Sequence, residues 1–231
     1  MKRALRRAAL AGAAAIAASV LTDRAPYPYA QKWLLDVPLP LLTPHRLTEL
    51  LRPGDGERML EIGPGTGLQA LHVAPRLGPD GELAVVDVQR QMLDHVTARA
   101  AERSIGNITP YRADARELPF ADGQFDAAYL VTVLGEIPDA PAALRELRRV
   151  LKPDGRLAVG EFADRHYVPL TTLARLANDA GLHLRRRTGI PFAYYALLAP
   201  CAGSASARGA SRPSAPGSSG RRETDAPPGQ G

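Results

Sequence analysis

Cysteine is almost absent from this chain of 231 residues. Its single cysteine, Cys201, has no partner for a disulfide within the chain, and no group of cysteines and histidines has the spacing of zinc ligands. A disulfide-stabilised scaffold and a structural zinc module are therefore excluded, and we expect no metal site. Because 45% of the residues are hydrophobic, the chain is long enough to bury one sizeable core by packing alone.

A broad basic surface is also lacking, although the net charge is +5 and the isoelectric point is about 9.6. Residues 1–24 carry +4 and residues 201–231 carry +2, which leaves −1 for residues 25–200. A nearly neutral body lacks the charge that binding to nucleic-acid phosphates needs, so we expect no nucleic-acid partner. The one local basic run, Arg185 to Arg187, is interpreted as the solvated end of a strand.

The apolar run at the N-terminus is too short to span a bilayer. It extends for 14 residues from Ala8 to Leu21 after a basic start, whereas a membrane-spanning helix needs about 20 residues. Three interpretations remain open: a secretory signal with a small-residue cleavage pattern at Ala15 and Ala17, a helix lying on the membrane surface, or an ordinary alanine-rich helix.

The C-terminal stretch contains no leucine, isoleucine, valine or aromatic residue after Gly203. Such a stretch buries too little apolar surface to offset its chain entropy, so we expect a disordered tail over 201–231. The remaining predicted organisation is a basic and apolar segment over 1–24, a helical lead-in that caps the substrate over 25–54, and a catalytic domain over 55–200.

Short apolar runs alternate with amphipathic stretches in the middle of the chain, which is typical of an α/β domain with a parallel sheet. The predicted strands are Arg58–Ile62, Leu83–Asp87, Ile108–Arg112, Asp126–Val131, Arg156–Glu161, Leu184–Thr188 and Phe192–Leu198. The predicted helices are Leu68–Leu77, Gln89–Ser104, Ala140–Leu151 and Leu170–Ala180. We expect a turn at Lys152 to Gly155 and a helix cap at Gly181.

A glycine-rich loop follows the first predicted strand and holds Gly63, Gly65 and Gly67. Glycines at a strand-to-helix turn let the backbone pass close to a ligand, and the N-terminus of a following helix would offer free N–H groups. The pattern departs from the dinucleotide fingerprint, because Leu68 stands where that fingerprint has its third glycine. Asp87 ends the second strand, where a carboxylate would bind a ribose diol; a helix N-cap is the alternative role.

Five motifs in the same order resemble the class I S-adenosylmethionine-dependent methyltransferases, especially the small-molecule branch that includes the ubiquinone and menaquinone methyltransferases. The resemblance covers about residues 55–165. Its motifs are the loop 61–67, Asp87, Asp114 with Ala115, the run 125–128, and the stretches 144–147 and 150–156. It implies a Rossmann-like sheet of seven strands, mostly parallel with an antiparallel last strand inserted beside the fifth, and helices on both faces.

The resemblance also implies a cofactor, S-adenosylmethionine, and a place for it. The glycine loop with Gly63, Gly65 and Gly67 would wrap its methionine portion, Glu61 would lie near its ammonium group, and Asp87 would bind its ribose hydroxyls. Asp114 would meet the adenine amino group with Ala115 alongside, although Asp114 also suits a turn. Because this cofactor is made and used in the cytoplasm, the resemblance favours a cytoplasmic enzyme over an exported one.

The acceptor and any catalytic base are expected beyond the carboxyl ends of the fourth and fifth strands, where open α/β sheets bind ligands. The candidate bases there are Glu136 and His166. In this family the N-terminal segment commonly closes over the acceptor. The residues of that segment that we expect to line the pocket, or else to pack a lead-in helix, are Tyr27, Tyr29, Trp33 and His45.

The sequence favours methyl transfer to a small, lipid-like acceptor, with peripheral membrane contact through residues 1–21. The quinone itself is not carried over, because the chain departs from the quinone methyltransferases at its N-terminal segment and at residues 133–138. Two other functions stay open. One is a cofactor-binding module without catalysis, and the other is an NAD-linked oxidoreductase, which Leu68 disfavours.

Overall fold

The computed structural model describes residues 29–30, 39 and 41–201. The strands are β1 (Arg58–Ile62), β2 (Glu82–Asp87), β3 (Ile108–Arg112), β4 (Phe125–Val131), β5 (Leu151–Phe162), β6 (Leu182–Ile190) and β7 (Ala193–Pro200). The α-helices are α1 (Pro44–Leu51), α2 (Ala70–Val73), α3 (Arg90–Glu102), α4 (Ala140–Val150) and α5 (Leu170–Asp179). The predicted segment 1–24 and nearly all of the predicted tail 201–231 lie outside the described residues.

The seven strands form one sheet in the order β3-β2-β1-β4-β5-β7-β6. Strands β1 to β5 pair in parallel, whereas β7 is antiparallel to both of its neighbours, β5 and β6. The strand order reverses between β1 and β4, and ligands of open α/β sheets bind at such a reversal. The predicted fold class, with the antiparallel last strand inserted beside the fifth, is confirmed.

Both faces of the sheet are buried, because successive side chains of a strand point to opposite sides. On β4, Ala128 and Leu130 pack with helices α4 and α5, whereas Ala127 and Tyr129 pack with helices α1, α2 and α3. The central strands therefore consist of nearly continuous apolar residues. This packing fixes the carboxyl ends of the strands, where the cavity described below lies.

The helix after the glycine loop is shorter than the predicted Leu68–Leu77. Helix α2 ends at Val73, and residues Ala74–Leu77 form a 3-10 turn with Pro75 in its first turn. Proline has no N–H to donate and its ring clashes with the preceding helical turn, so the α-helix cannot continue. A helix of one turn has little dipole, so the N–H groups at its start have less electrostatic attraction for a ligand than those of a long helix.

The predicted turn at Lys152 to Gly155 is also different in the structure. Strand β5 begins at Leu151, and its residues 151–156 stand opposite only residues 125–127 of β4. The surplus residues bulge out of the ladder rather than interrupt the strand. At the other predicted cap, Gly181 follows α5 with φ +77°, in agreement with the prediction.

Candidate active site

One cavity of about 420 Å³ opens at the carboxyl edge of the sheet, a volume within the range of small-molecule sites. The loops that follow β1, β2, β3, β4 and β5 all contribute to its walls. Leu39 and Leu42, which precede α1, line it as well. The expected location beyond the carboxyl ends of the strands is therefore where the structure places the cavity.

The glycine loop forms one wall of this cavity, with Gly63 and Gly65 among the lining residues. Both adopt positive φ, +65° and +54°, which residues with a Cβ rarely do. A Cβ at Gly63 would lie 2.6 Å from Cγ2 of Val133, so the loop after β1 touches the segment after β4. Gly67, at φ +85°, does not line the cavity. A Cβ there would lie 3.2 Å from Cγ2 of Val96 on α3, so Gly67 allows close helix packing.

Glu61 lies at the floor of the cavity and is almost completely buried. Its Oε2 accepts a hydrogen bond of 2.9 Å from the hydroxyl of Tyr129 on the neighbouring strand β4. Burial raises the pKa of Glu61 to about 8; the Tyr129 hydrogen bond opposes this rise and the negative charge of Asp87 adds to it. In the ligand-free protein this carboxyl therefore holds its proton at neutral pH, and a nearby cation would favour its ionisation.

Asp87 ends β2 and lines the cavity. Its Oδ1 accepts a 2.8 Å hydrogen bond from the backbone N–H of Gln89, and burial raises its pKa to about 6. The N-cap position of α3 is occupied by Gln89 and not by Asp87. The N-cap alternative for Asp87 is therefore wrong.

Asp114 and Ala115 follow β3 and also line the cavity. Asp114 accepts bonds from both the backbone N–H and the guanidinium of Arg116, at 2.9 and 2.6 Å, and the Arg116 hydrogen bond lowers its pKa. Asp114 thus closes a turn, which is one of the two roles weighed for it, and it also lines the cavity. Ala115 is buried beside it.

The charge of the cavity has one sign. Among the residues that the structure describes, five acidic side chains and no lysine, arginine or histidine line it. The acidic residues are Glu61, Asp87, Asp114, Glu136 and Asp164. Such a lining favours a cationic ligand and opposes one that carries a pyrophosphate.

The two candidate bases, Glu136 and His166, lie next to each other. Nδ1 of His166 is 3.4 Å from Oε1 of Glu136. Glu136 lines the cavity, whereas the imidazole is buried behind it and borders a second, smaller cavity. A Cβ on Gly135 would lie 1.7 Å from the carbonyl oxygen of His166, so glycine is required for this close approach.

The structure describes two of the four lead-in residues for which a place in the pocket or in a lead-in helix was weighed. His45 is exposed on α1, pairs with Glu49 at 3.2 Å and does not line the cavity, so the pocket-lining alternative is wrong for it. Tyr29 contacts the ring of His95 on α3, edge to face, with centroids 6.1 Å apart, and also lies away from the cavity lining. Tyr27 and Trp33 lie outside the described residues.

Leu42, which precedes α1, lines the cavity. Its carbonyl oxygen accepts hydrogen bonds from Gln69 Nε2 at 3.3 Å and from the Tyr195 hydroxyl at 3.1 Å. Two buried donors therefore hold this leucine against the cavity wall. Such a contact joins residues far apart in sequence, so no local pattern indicates it.

Two further residues near the site lacked a specific prediction. Thr132, which lines the cavity, adopts φ +58°, an outlier for a β-branched side chain. Glu161 is buried at the end of β5, where Oε2 accepts a 3.0 Å bond from the backbone N–H of Val168 and Oε1 has no partner. Burial raises its pKa to about 8. An acid within the apolar strand pattern was the available signal for Glu161.

A seven-stranded sheet with its last strand antiparallel beside the fifth, and a glycine loop after β1, is the arrangement that the resemblance to class I methyltransferases implies. A family model described as a methyltransferase domain matches residues 59–155. Among solved structures, a SAM-dependent methyltransferase from Aquifex aeolicus superposes with a TM-score of 0.68 at 20% identity, covering 75% of this chain and 98% of that one. The [4+2]-cyclase SpnF superposes with a TM-score of 0.57 at 27% identity, covering 63% and 57%.

Relatives found by sequence are also named as methyltransferases. The ubiquinone/menaquinone biosynthesis C-methyltransferase UbiE of Pseudomonas putida is 37% identical over 133 residues, which are 57% of this chain and 50% of that protein. The UbiE of Idiomarina loihiensis is 38% identical over 109 residues, 47% of this chain and 43% of its own. The chain thus spans about half the length of these relatives. Residues 59–155 match a methyltransferase domain, and the chain is similar in sequence and fold to class I S-adenosylmethionine-dependent methyltransferases.

Proposed function

We propose that the protein transfers a methyl group from S-adenosylmethionine to a small, apolar acceptor. The charge of the cavity carries this proposal, because five carboxyl groups and no basic side chain, among the described residues, surround the space. S-Adenosylmethionine brings a sulfonium and an ammonium group, and both are stabilised by such a lining. The residues present therefore fit the cofactor that the domain implies.

Each polar residue has a proposed role toward that cofactor. Glu61, held by Tyr129, binds the ammonium group, and Asp87 accepts hydrogen bonds from the ribose hydroxyls. Asp114 accepts from the adenine amino group with Ala115 beside the ring. The backbone of Gly63 and Gly65 follows the methionine portion, whereas Gly67 acts indirectly by allowing the loop to pack on α3.

The rest of the cavity is apolar and suits the acceptor. Its apolar lining away from the carboxylates consists of Leu39, Leu42, Val131, Val133, Ile137 and Phe162. A ring or an alkyl chain gains burial there, whereas a charged acceptor would be desolvated without a partner. Quinols, the acceptor class that the names of the UbiE relatives suggest, are one such class and are included in the screen below.

The cofactor supplies a sulfonium-bound methyl group and a good leaving group, so the protein acts mainly through alignment and exclusion of water. We assign Glu136 as the base that accepts a proton from the acceptor, because its carboxyl group lines the cavity. His166 is a positioning residue in this scheme. It lies behind Glu136 at 3.4 Å and orients that carboxylate.

The two alternative functions predict different ligands or products. An NAD-linked oxidoreductase would have to place a pyrophosphate among acidic side chains, without the dipole of a long helix after the glycine loop. A cofactor-binding module without methyl transfer would bind the same ligand and yield no product. Similarity to a [4+2]-cyclase shows that this fold also occurs in a protein named for another reaction, so turnover decides.

Residues 1–21, outside the described residues, retain the proposed role of peripheral membrane contact. No helix in the described part of the chain is long and apolar enough to cross a bilayer. We place the reaction in the cytoplasm, where the cofactor is supplied.

The cofactor site is tested by calorimetric titration of S-adenosylhomocysteine, and of NAD, into the full-length chain. We expect micromolar binding of S-adenosylhomocysteine, weakened about tenfold or more in Asp87→Asn, because an amide accepts ribose hydroxyl bonds less strongly than a carboxylate. Asp80→Asn, at an exposed position outside the cavity, is the matched control and should bind as the wild type does. Binding of NAD alone, or of neither ligand by folded protein, would refute the proposal.

Turnover is tested with S-adenosylmethionine carrying a tritiated methyl group and a panel of 1,4-naphthoquinol, alkyl phenols and fatty acids. We expect radioactivity in the organic phase with at least one apolar acceptor. Glu136→Gln should lower kcat by about 100-fold, whereas His166→Asn should lower it less and shift the pH profile. A protein that binds S-adenosylhomocysteine but methylates no member of the panel would favour the non-catalytic module.

A further inference from the structure

The hairpin between β6 and β7 exposes two large apolar side chains at its tip. Phe192 is 55% exposed and Ile190 is 38% exposed, in a protein whose apolar residues are otherwise mostly buried. Only Pro191 and Phe192 separate the two strands. A single exposed apolar side chain is common, but two large ones at the same turn form an apolar surface of the kind found at interaction sites.

The backbone of this tip is firmly held. The hydroxyl of Tyr167 donates to the carbonyl of Pro191, and the N–H of Ala163 donates to the carbonyl of Phe192 at 2.8 Å. Gly189 has φ +99°, and a Cβ there would lie 2.3 Å from the carbonyl oxygen of Ala193. The apolar side chains are therefore presented by a fixed turn.

The tip lies at the same edge of the sheet as the cavity. Strand β7 is antiparallel to β5, and β6 is antiparallel to β7, so β6 ends where β5 ends. Ala163, which contacts the tip, lies between Phe162 and Asp164, and both of these line the cavity. A surface that contacts the hairpin tip is therefore close to the cavity.

Three consecutive arginines, Arg185 to Arg187, lead along β6 toward the tip, and all are exposed. In the described part of the chain none of the three pairs with a carboxylate; Arg187 donates to the carbonyl of Gly189 and Arg185 contacts His183. Arg185 stands at a register shift of this edge strand. Charges and a bulge also protect an edge from pairing with another strand, which is the alternative explanation.

We propose that the β6–β7 hairpin docks on an anionic lipid surface, with Phe192 and Ile190 in the interfacial layer and Arg185 to Arg187 against the headgroup charges. Edge protection would explain the three arginines. It would not explain the exposed Phe192 and Ile190 at the tip. Apolar anchors next to unpaired cations are the combination that lipid interfaces bind. The contact goes beyond the methyl transfer and is independent of residues 1–21.

The experiment is co-sedimentation of the full-length chain with vesicles of phosphatidylcholine alone and of phosphatidylcholine with 30% phosphatidylglycerol. We expect binding to the anionic vesicles only. The double variant Arg185→Gln/Arg187→Gln should lose about fivefold in partitioning for each arginine, and Phe192→Ser should lose about tenfold. Arg103→Gln/Arg145→Gln removes the same charge from exposed positions elsewhere and should bind as the wild type does.

A second measurement locates the tip directly. In Phe192→Trp, brominated anionic lipids should quench tryptophan fluorescence beyond the quenching seen in the wild type, whose one tryptophan is Trp33. Equal vesicle binding of the hairpin variants and the wild type, or no added quenching, would overturn the proposal. So would sedimentation velocity that shows Phe192 at a contact between two copies of the chain. Titration with S-adenosylhomocysteine confirms that each variant is folded, and distinguishes a failed hairpin from a failed cofactor site.

Discussion

The two sides of the cavity are built from contacts of different range. We call the side formed by β1, β2, β3 and the loops after them the cofactor side, and the side formed by β4, β5 and the segments after them the acceptor side, after the ligands proposed for them. On the cofactor side Asp87 bonds to Gln89 and Asp114 bonds to Arg116, each two residues away, and only the bond from Tyr129 to Glu61 among those described above spans a long stretch of sequence. On the acceptor side Glu161 bonds to Val168, and Gly135 packs against His166.

This difference predicts which substitutions change the structure of each side of the cavity. A local turn keeps its shape when distant packing changes, whereas the acceptor side depends on several segments meeting correctly. Tyr194, for example, donates from β7 to the carbonyl of Val168. We therefore expect substitutions on the acceptor side to damage that side while cofactor binding persists.

The largest effect is expected for Gly135→Ala. Its Cβ would lie 1.7 Å from a backbone oxygen, so the segment around His166 must move, at a cost of about 3 kcal/mol in the free energy of unfolding. Urea unfolding measures this loss, and hydrogen exchange should show faster exchange at the amide of Val168. S-Adenosylhomocysteine affinity should stay within threefold. Gly106→Ala, with no atom within 4 Å of the added Cβ, is the control, and equal losses in both would contradict the prediction.

Gly63→Ala should disturb the contact between the cofactor side and the acceptor side, because Gly63 packs against Val133. The added Cβ would press on Val133 at 2.6 Å and the residue must keep φ +65°, so we expect a loss of about 2 to 3 kcal/mol in stability and at least a tenfold loss in S-adenosylhomocysteine affinity. Gly56→Ala carries similar strain, φ +75°, with no atom within 4 Å, and should lose about 1 kcal/mol only. Unchanged affinity in Gly63→Ala would show that the loop does not contact the cofactor.

The fold and the cofactor side were predictable from the sequence to a large degree. Strands β1 and β3 have the predicted bounds, because apolar runs between turn residues leave little choice. The seven strands and the antiparallel β7 beside β5 came from the resemblance. Pro75 was visible in the sequence, yet the apolar spacing around it suggested a longer helix than forms.

The acceptor side was not predictable to the same degree. His45 was expected either to line the pocket or to pack a lead-in helix, and the sequence did not decide between them; α1 buries Leu47, Leu50 and Leu51 and leaves His45 exposed. Glu136 and His166 were proposed separately, and only the folded chain brings them to 3.4 Å. Contacts of this range depend on the packing of whole elements.

The pH dependence of stability tests the protonation of Glu61 on the cofactor side. The pKa of this carboxyl is about 8 in the folded protein and ordinarily about 4.5, so the folded state holds a proton that the unfolded chain has released. The free energy of unfolding should therefore fall as pH rises from about 4.5 to 8, by on the order of 2 kcal/mol or more from this group. Glu61→Gln should be flatter over that range in ligand-free protein.

Urea unfolding at pH 5 and pH 8 measures the difference between Glu61→Gln and the wild type. Glu117→Gln, at an exposed acidic position, is the control and should parallel the wild type. A remaining slope is expected from Asp87 and Glu161, whose pKa values are also raised. Parallel curves for Glu61→Gln and the wild type would contradict the prediction.

The smallest effect is expected for Thr132→Gly. Glycine adopts φ +58° without the strain that a β-branched residue has there, so stability should rise by about 1 kcal/mol or less, measured by urea unfolding. Thr109→Gly in β3 removes a threonine from an ordinary strand and should lower stability. Equal losses in the two variants would show that Thr132 is not strained.

The double hydrogen bond to Leu42 has a consequence for the kinetics of ligand exchange. If Leu42 leaves the cavity wall, the Tyr195 hydroxyl and the Gln69 amide lose a buried acceptor at the same time, at about 1 to 3 kcal/mol for each donor. States with this wall open are therefore rare at equilibrium. We therefore expect a ligand that must pass Leu42 to enter and leave the cavity slowly.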